Sequence, residues 1–328
     1  MAKSEAQTQA FRSRPQPSMT AATNAITRAT TSTATNTAYG VAPLLANKTS
    51  LLTSTFLHLP RIGRTTERKL WNQHVYTWND FLKAKTIPGI GPTTLAQGKL
   101  LLHFANKALN EENTSFFYRA IPLAEHWRAY THPLFSQGAR YIDIETCARG
   151  KITVFGISDG NNTVQLIRGA NLSKHTIQHL LTGATCLVTF NGNSFDLPLL
   201  ERYFGRVLPP VPRIDLRHVC RRIGLTGGLK AIEQELNIPR DEDVMFTRGE
   251  DAVTLWHTFL ATNNQHYLEL LLRYNAHDCY NLKLLADRVI PDLQRKTIHA
   301  GSQGNACTDE RNARQQPSTS TNQARPPC

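Results

Sequence analysis

The sequence predicts an α/β fold: a sheet opening with three antiparallel strands, helices around and after it, and a small helical hairpin module before it. Three observations lead there. From Gly138 to Gly169 short β-rich runs alternate with Gly, Asp and Asn turns. Beyond Gly169 the apolar residues take up a helical period, broken by one buried run of strand length. Upstream, one eight-residue turn-and-helix segment recurs with five of its eight residues identical.

Composition sets the limits of the folded part. Residues 1–50 are mostly Ala, Thr, Ser and Asn without apolar periodicity, and residues 297–328 mix Gln, Asn, Ser, Pro and Arg. Neither stretch carries enough apolar surface for a core, so both are read as disordered tails. Between them the chain divides into a helical module at 51–110, a connector at 111–137 to which no role can be assigned, and an α/β domain at 138–296. The formal charge is +12, from 37 Lys and Arg against 25 Asp and Glu. Five basic residues against one acidic in the first 50, and three against two in the last 32, leave +7 for the middle. Such an excess favours nucleic acid as a partner, although solubility alone also accounts for charge without a motif. No window approaches the roughly 18 apolar residues of a membrane span, so no membrane role is expected. The six cysteines lie far apart without a C-x-x-C pair, as in a reduced, cytoplasmic protein.

Taken in order, the first element is the repeat. Leu59-Pro-Arg-Ile-Gly-Arg-Thr-Thr66 returns 28 residues later as Ile87-Pro-Gly-Ile-Gly-Pro-Thr-Thr94, identical at five of eight positions. Each copy places a Pro-x-Ile-Gly turn before a hydroxyl pair suited to capping a helix, at 67–71 and 95–104. The pattern resembles the helix-hairpin-helix motif. That resemblance implies backbone N–H groups around Gly89 and Gly91 approaching a phosphate, with Arg61 standing where the first copy should have glycine. Two helical hairpins packed on each other are the alternative.

Strands are predicted at 140–145, 151–157 and 163–167, then a helix at 173–181, a strand at 185–190 and a helix at 195–204. Helices follow at 216–223, 229–236, 251–260 and 266–289. On the first strand Asp143 and Glu145 leave one face while Ile142 and Ile144 fill the other. Burying such a pair needs a compensating cation; an edge strand with one wet face also explains it. Asp196 falls in the first turn of its helix, with Ser194 as the expected cap. A helix-dipole role there stands beside one in which Asp196 aims at the patch of Asp143. Tyr274 and Asp278, four apart on the last helix, share its polar face, as packing and surface residues also do.

Together, Asp143-x-Glu145, Asn191-x3-Phe195-Asp196 and Tyr274-x3-Asp278 resemble the DEDD superfamily of DnaQ-like 3′–5′ exonucleases, in the tyrosine subtype. Thr189-Phe-Asn-Gly-Asn-Ser-Phe-Asp-Leu-Pro198, Ile214-Asp-Leu216, Gly227-Gly-Leu-Lys-Ala-Ile-Glu233 and Tyr274-Asn275 are similar to YprB-type ribonuclease-H-like proteins. The resemblance implies a ribonuclease-H-like mixed sheet, three antiparallel strands followed by parallel ones. It implies a nuclease using two divalent ions, Mg²⁺ or Mn²⁺, to hydrolyse phosphodiester bonds of DNA or RNA. Asp143 would bridge the ions, Glu145 and Asp278 complete one site, and Asp196 hold the other. Tyr274 would orient the attacking water, and Asn191 and Lys230 would meet the substrate's sugar or phosphate. Asp215 is explained equally well as a helix cap, and His277 points about 100° away from Asp278. Two alternatives remain: a noncatalytic nucleic-acid-binding protein on the same scaffold, and a structure-specific endonuclease with the same metal site.

Overall fold

The computed structural model describes residues 50–241 and 249–299. Apart from Ser50 and residues 297–299, the expected tails lie outside the described residues. Five strands form one sheet in the order β3-β2-β1-β4-β5: β1 Ala139–Thr146, β2 Ile152–Ser158, β3 Thr163–Ile167, β4 Cys186–Thr189 and β5 Arg213–Asp215. The first three pair antiparallel, with Asp143 opposite Gly156 and Phe155 opposite Leu166. β4 runs parallel to β1, Tyr141 beside Val188, and β5 parallel to β4. Strand β1 is therefore central, which removes the wet-edge explanation of its two acids.

Eleven helices are described. The upstream ones are α1 Arg64–Asn72, α2 Trp78–Lys83, α3 Pro92–Asn110, α4 Thr114–Ala120 and α5 Pro133–Gln137. Those around the sheet are α6 Lys174–Leu180, α7 Asp196–Phe204, α8 Leu216–Ile223, α9 Leu229–Glu235, α10 Gly249–Thr262 and α11 Gln265–His299. The connector contributes a 3₁₀ segment, Leu123–Thr131. None of the described helices is long and apolar enough to cross a membrane.

Alternation along the strands decides which face each helix covers. Ile142, Ile144, Phe155, Ile157 and Leu187 point to one side, where Ile177 of α6 and Leu197 and Leu200 of α7 close over them. Ala139, Tyr141, Cys186 and Val188 point to the other. There a single apolar cluster runs from Leu51 and Phe56 through Phe117 and Phe135 to Leu282, Leu285 and Val289 of α11. Asp143 and Glu145 share this second face, so α11 crosses directly over them. A glycine makes that crossing close. A Cβ on Gly156 would sit 2.1 Å from Asn275 Oδ1 and 2.6 Å from Cys279 Sγ of α11.

The repeat is a repeated backbone turn. N–H of Ile62 donates to Leu59 O at 3.3 Å and N–H of Ile90 to Ile87 O at 3.0 Å. The residue after each proline has positive φ, 63° at Arg61 and 81° at Gly89, the arrangement of a type II turn. Glycine takes that conformation freely; arginine there costs roughly 1–2 kcal/mol. The helices begin earlier than expected, with Gly63 and Gly91 as N-caps that provide no side-chain cap. Both hydroxyl pairs thus lie inside the first turn instead of capping it.

Candidate metal centre

Three elements bring the acidic residues together. β1 supplies Asp143 and Glu145 from its α11 face, the start of α7 supplies Asp196, and α11 supplies Tyr274 and Asp278. One carboxylate oxygen from each of Asp143, Glu145 and Asp278 falls within 4.8 Å of the others. Glu145, Asp196 and Asp278 are buried and Asp143 is partly exposed. Asp196 stands beside this triad, where its charge acts on both Asp143 and Glu145. Its Oδ1 accepts the N–H of Ile144 at 3.1 Å, which fixes the head of α7 to the central strand. Phe195, not Ser194, is the N-cap of α7, and its side chain caps nothing.

Each carboxylate is oriented by a different partner. Asn275 Nδ2 donates to Asp143 Oδ2 at 2.8 Å, and its own Oδ1 accepts from Gln165 at 3.2 Å. Arg240 Nη2 donates to Asp278 Oδ1 at 2.5 Å while its Nε and Nη2 hold both oxygens of the buried Glu233 at 3.0 Å. The Tyr274 side chain, one turn before Asp278, favours the ionised form of that carboxyl. Lys230 Nζ sits 4.7 Å from the Tyr274 ring centroid, and its charge favours ionisation of Glu145.

The expected substrate contacts are less concentrated. Asn191 has a φ of 65°; its N–H donates to Asp215 Oδ1 at 2.8 Å, and its Oδ1 accepts from Arg217 at 2.9 Å. Asp215 caps α8 and also receives the N–H of Asn193, so it braces the turn that aims Asp196. His277 pairs with Asp241 at 2.9 Å. Gly89 and Gly91 belong to the second turn of the helical module and are not part of the triad.

Burial dominates the electrostatics. It pushes Asp143 and Glu145 well above the ordinary carboxylate range, and neighbouring acids push them further. Burial also raises Asp278 despite Arg240, and lifts Asp196 to about 7. Tyr274 is raised by burial and then by Asp278, Glu145 and Asp143, so it remains a neutral phenol. Among the described residues, Arg240 and Lys230 are too few to balance four acids and Glu233. A donor set made only of carboxylate oxygens, crowded and short of positive charge, suits a hard divalent cation.

The linkage gives a measurable consequence. Without metal, acids whose pKa is raised on folding stabilise the folded state while protonated; for Asp196 that contribution is present below pH about 4 and lost as pH rises through about 7. Thermal unfolding in EDTA should show a falling midpoint across that range. Added Mn²⁺ or Mg²⁺, which displaces those protons, should raise the midpoint more at pH 8 than at pH 5. Equal shifts at the two pH values would count against these carboxylates as the cation's ligands.

Comparison with known families places the same span. Residues 140–290, from β1 into α11, match the family model described as the RNase_H superfamily. No curated protein and no solved structure matches the chain. With the strand order above, the match identifies the fold of this part as ribonuclease H-like. Sequence reasoning gave no role to two residues at the centre, one of them, Asn275, quoted there only as part of a motif. Asn275 had a readable signal, a polar residue three before Asp278 on a leucine-rich helix. Arg240 had none, because it reaches Asp278 from 38 positions away.

Proposed function

We propose that this protein is a metal-dependent nuclease acting on DNA or RNA, and within that class a 3′–5′ exonuclease. One observation carries the reading: in a ribonuclease H-like fold, carboxylates from the central strand and the C-terminal helix converge on one buried point, with Asp196 beside them. Asp143, Glu145, Asp278 and Asp196 would hold two divalent ions, Mg²⁺ or Mn²⁺, which when bound supply an acidified water and offset charge on the departing oxygen.

The chain's own groups do the positioning. Tyr274, kept as a phenol, orients the attacking water by hydrogen bond and removes no proton. Asn275 holds Asp143 in place. Lys230 offers positive charge to a phosphate, and Asn191 a carboxamide N–H to the terminal sugar. The glycine turns at Gly89 and Gly91 expose backbone N–H groups suited to phosphates farther along the strand.

A scaffold without catalysis draws on one fact, the pairing of Asp278 with Arg240. Digestion of end-labelled single- and double-stranded DNA and RNA separates the readings. Stepwise shortening from the 3′ end with Mn²⁺ or Mg²⁺, abolished by EDTA, is the expected result. Internal fragments would point to an endonuclease. Binding without cleavage under every metal condition would select the scaffold.

A further inference from the structure

We propose that an arginine-lined pocket beside the acidic cluster binds one nucleotide unit of the same strand, its base on the apolar lining and its phosphate on the arginines. The proposal rests on the nuclease reading and gives that site a second point of contact. The pocket has a volume of about 660 Å³, within the range of sites that enclose a small molecule. It lies between the 3₁₀ segment Leu123–Thr131, the start of α1 and α8. Leu123, Trp127 and Val219 are among its apolar lining residues, and Arg64, Arg213, Arg221 and Arg222 among its basic ones.

The lining combines two chemistries that a nucleotide needs together. Leu123 keeps 53% of its surface exposed, an apolar side chain held open beside guanidinium groups. Trp127 is buried, yet its indole N–H has no hydrogen-bond partner among the described residues. The Arg222 guanidinium lies 5.3 Å from the Trp127 ring centroid. Arg64 and Arg222 both reach Glu125, whereas the exposed Arg221 side chain forms no ion pair with a described residue. A simple anion would gain nothing from the apolar lining, and an apolar ligand nothing from the arginines.

Position ties the pocket to the strand's path. β1, β4 and β5 are parallel, so their C-terminal ends share one edge of the sheet. Asp143 and Glu145 occupy that end of β1; Asp215, at the end of β5, lines the pocket. Asn193 and Ser194 line it too, and two residues of chain from Ser194 to Asp196 span at most roughly 7 Å. A strand leaving the acidic cluster along this edge meets the pocket next.

The test uses the full chain in EDTA, so that affinity is read without hydrolysis. A labelled single-stranded oligonucleotide is titrated by fluorescence anisotropy against the unaltered protein, Arg221→Gln, Leu123→Ser and, as a control on another face, Lys174→Gln. Arg221→Gln and Leu123→Ser should each weaken binding about tenfold, with thermal midpoints held and the control unchanged. Inorganic polyphosphate should be weakened by Arg221→Gln alone, and a free nucleoside monophosphate should compete far less well than the strand. Unchanged oligonucleotide affinity in both pocket variants would overturn the proposal. So would a mononucleotide that competes as well as the strand, or polyphosphate that responds to Leu123→Ser. Absence of hydrolysis by the unaltered protein in Mn²⁺ would end the nuclease reading separately, because the affinities in EDTA decide the pocket by themselves.

Discussion

Asp143→Asn is expected to lower metal-dependent phosphodiester hydrolysis by on the order of 10³-fold or more, as removing one member of a cooperating catalytic set does. The substitution is nearly isosteric, and its amide oxygen can still accept from Asn275 Nδ2. What it removes is a negative charge from the most crowded position in the centre. Burial already disfavours that charge, and Asp278, Glu145 and Asp196 disfavour it further. In EDTA at neutral pH the variant should therefore melt at a higher temperature than the unaltered protein. Activity lost together with stability gained cannot come from misfolding. A rate within a few-fold of the unaltered protein would remove Asp143 from the chemistry.

Arg128→Met is expected to be the most damaging single change to stability. The Arg128 side chain is fully buried, its Nη1 donating to Glu67 at 2.9 Å and to Thr55 at 3.0 Å, its Nε to Glu125 at 2.6 Å. Glu67 also receives the N–H of Phe56 and the Thr55 hydroxyl, and Glu125 receives Arg64 and Arg222. Burial works against the Glu125 carboxylate, but the charges of Arg128, Arg222 and Arg64 outweigh it and hold its pKa below the ordinary value. Removing Arg128 leaves Glu67 without its cation and takes from Glu125 one of its three arginine partners. A broken buried pair costs about 3–5 kcal/mol, a fall in Tm of roughly 10 °C for a fold of this size. Denaturant or thermal unfolding measures it, and adding Glu67→Gln to Arg128→Met should return part of the loss. A cost below about 1 kcal/mol would mean that the network contributes little.

The sequence carried the elements whose signals are local. Strand 163–167 and helix 216–223 are found at those residues, and the other strands and sheet helices of the first half differ by a residue or so. The three-residue β5 was missed because prolines at 209, 210 and 212 mask a strand with a single isoleucine. The last helix was expected to stop at Val289 before Pro291, yet it continues to His299. Leu293 and Ile298 bury themselves in the core there, and that burial offsets the proline. For the site, residue type and spacing pointed to the triad and to Asp196. Which carboxylate meets Arg240, and that Asp215 braces the Asn191 turn, depend on contacts between distant segments that no periodicity encodes.

The apolar cluster that finishes one face of the sheet has a consequence for inheritance. Leu51, Phe56, Phe117 and Phe135 belong to the first part of the chain, yet they complete the cover over Ala139, Tyr141, Cys186 and Val188. The acidic cluster is thus not a portable cassette. A lineage that kept this sheet but shed its upstream helices would have had to repaint that face with polar side chains or recruit another roof.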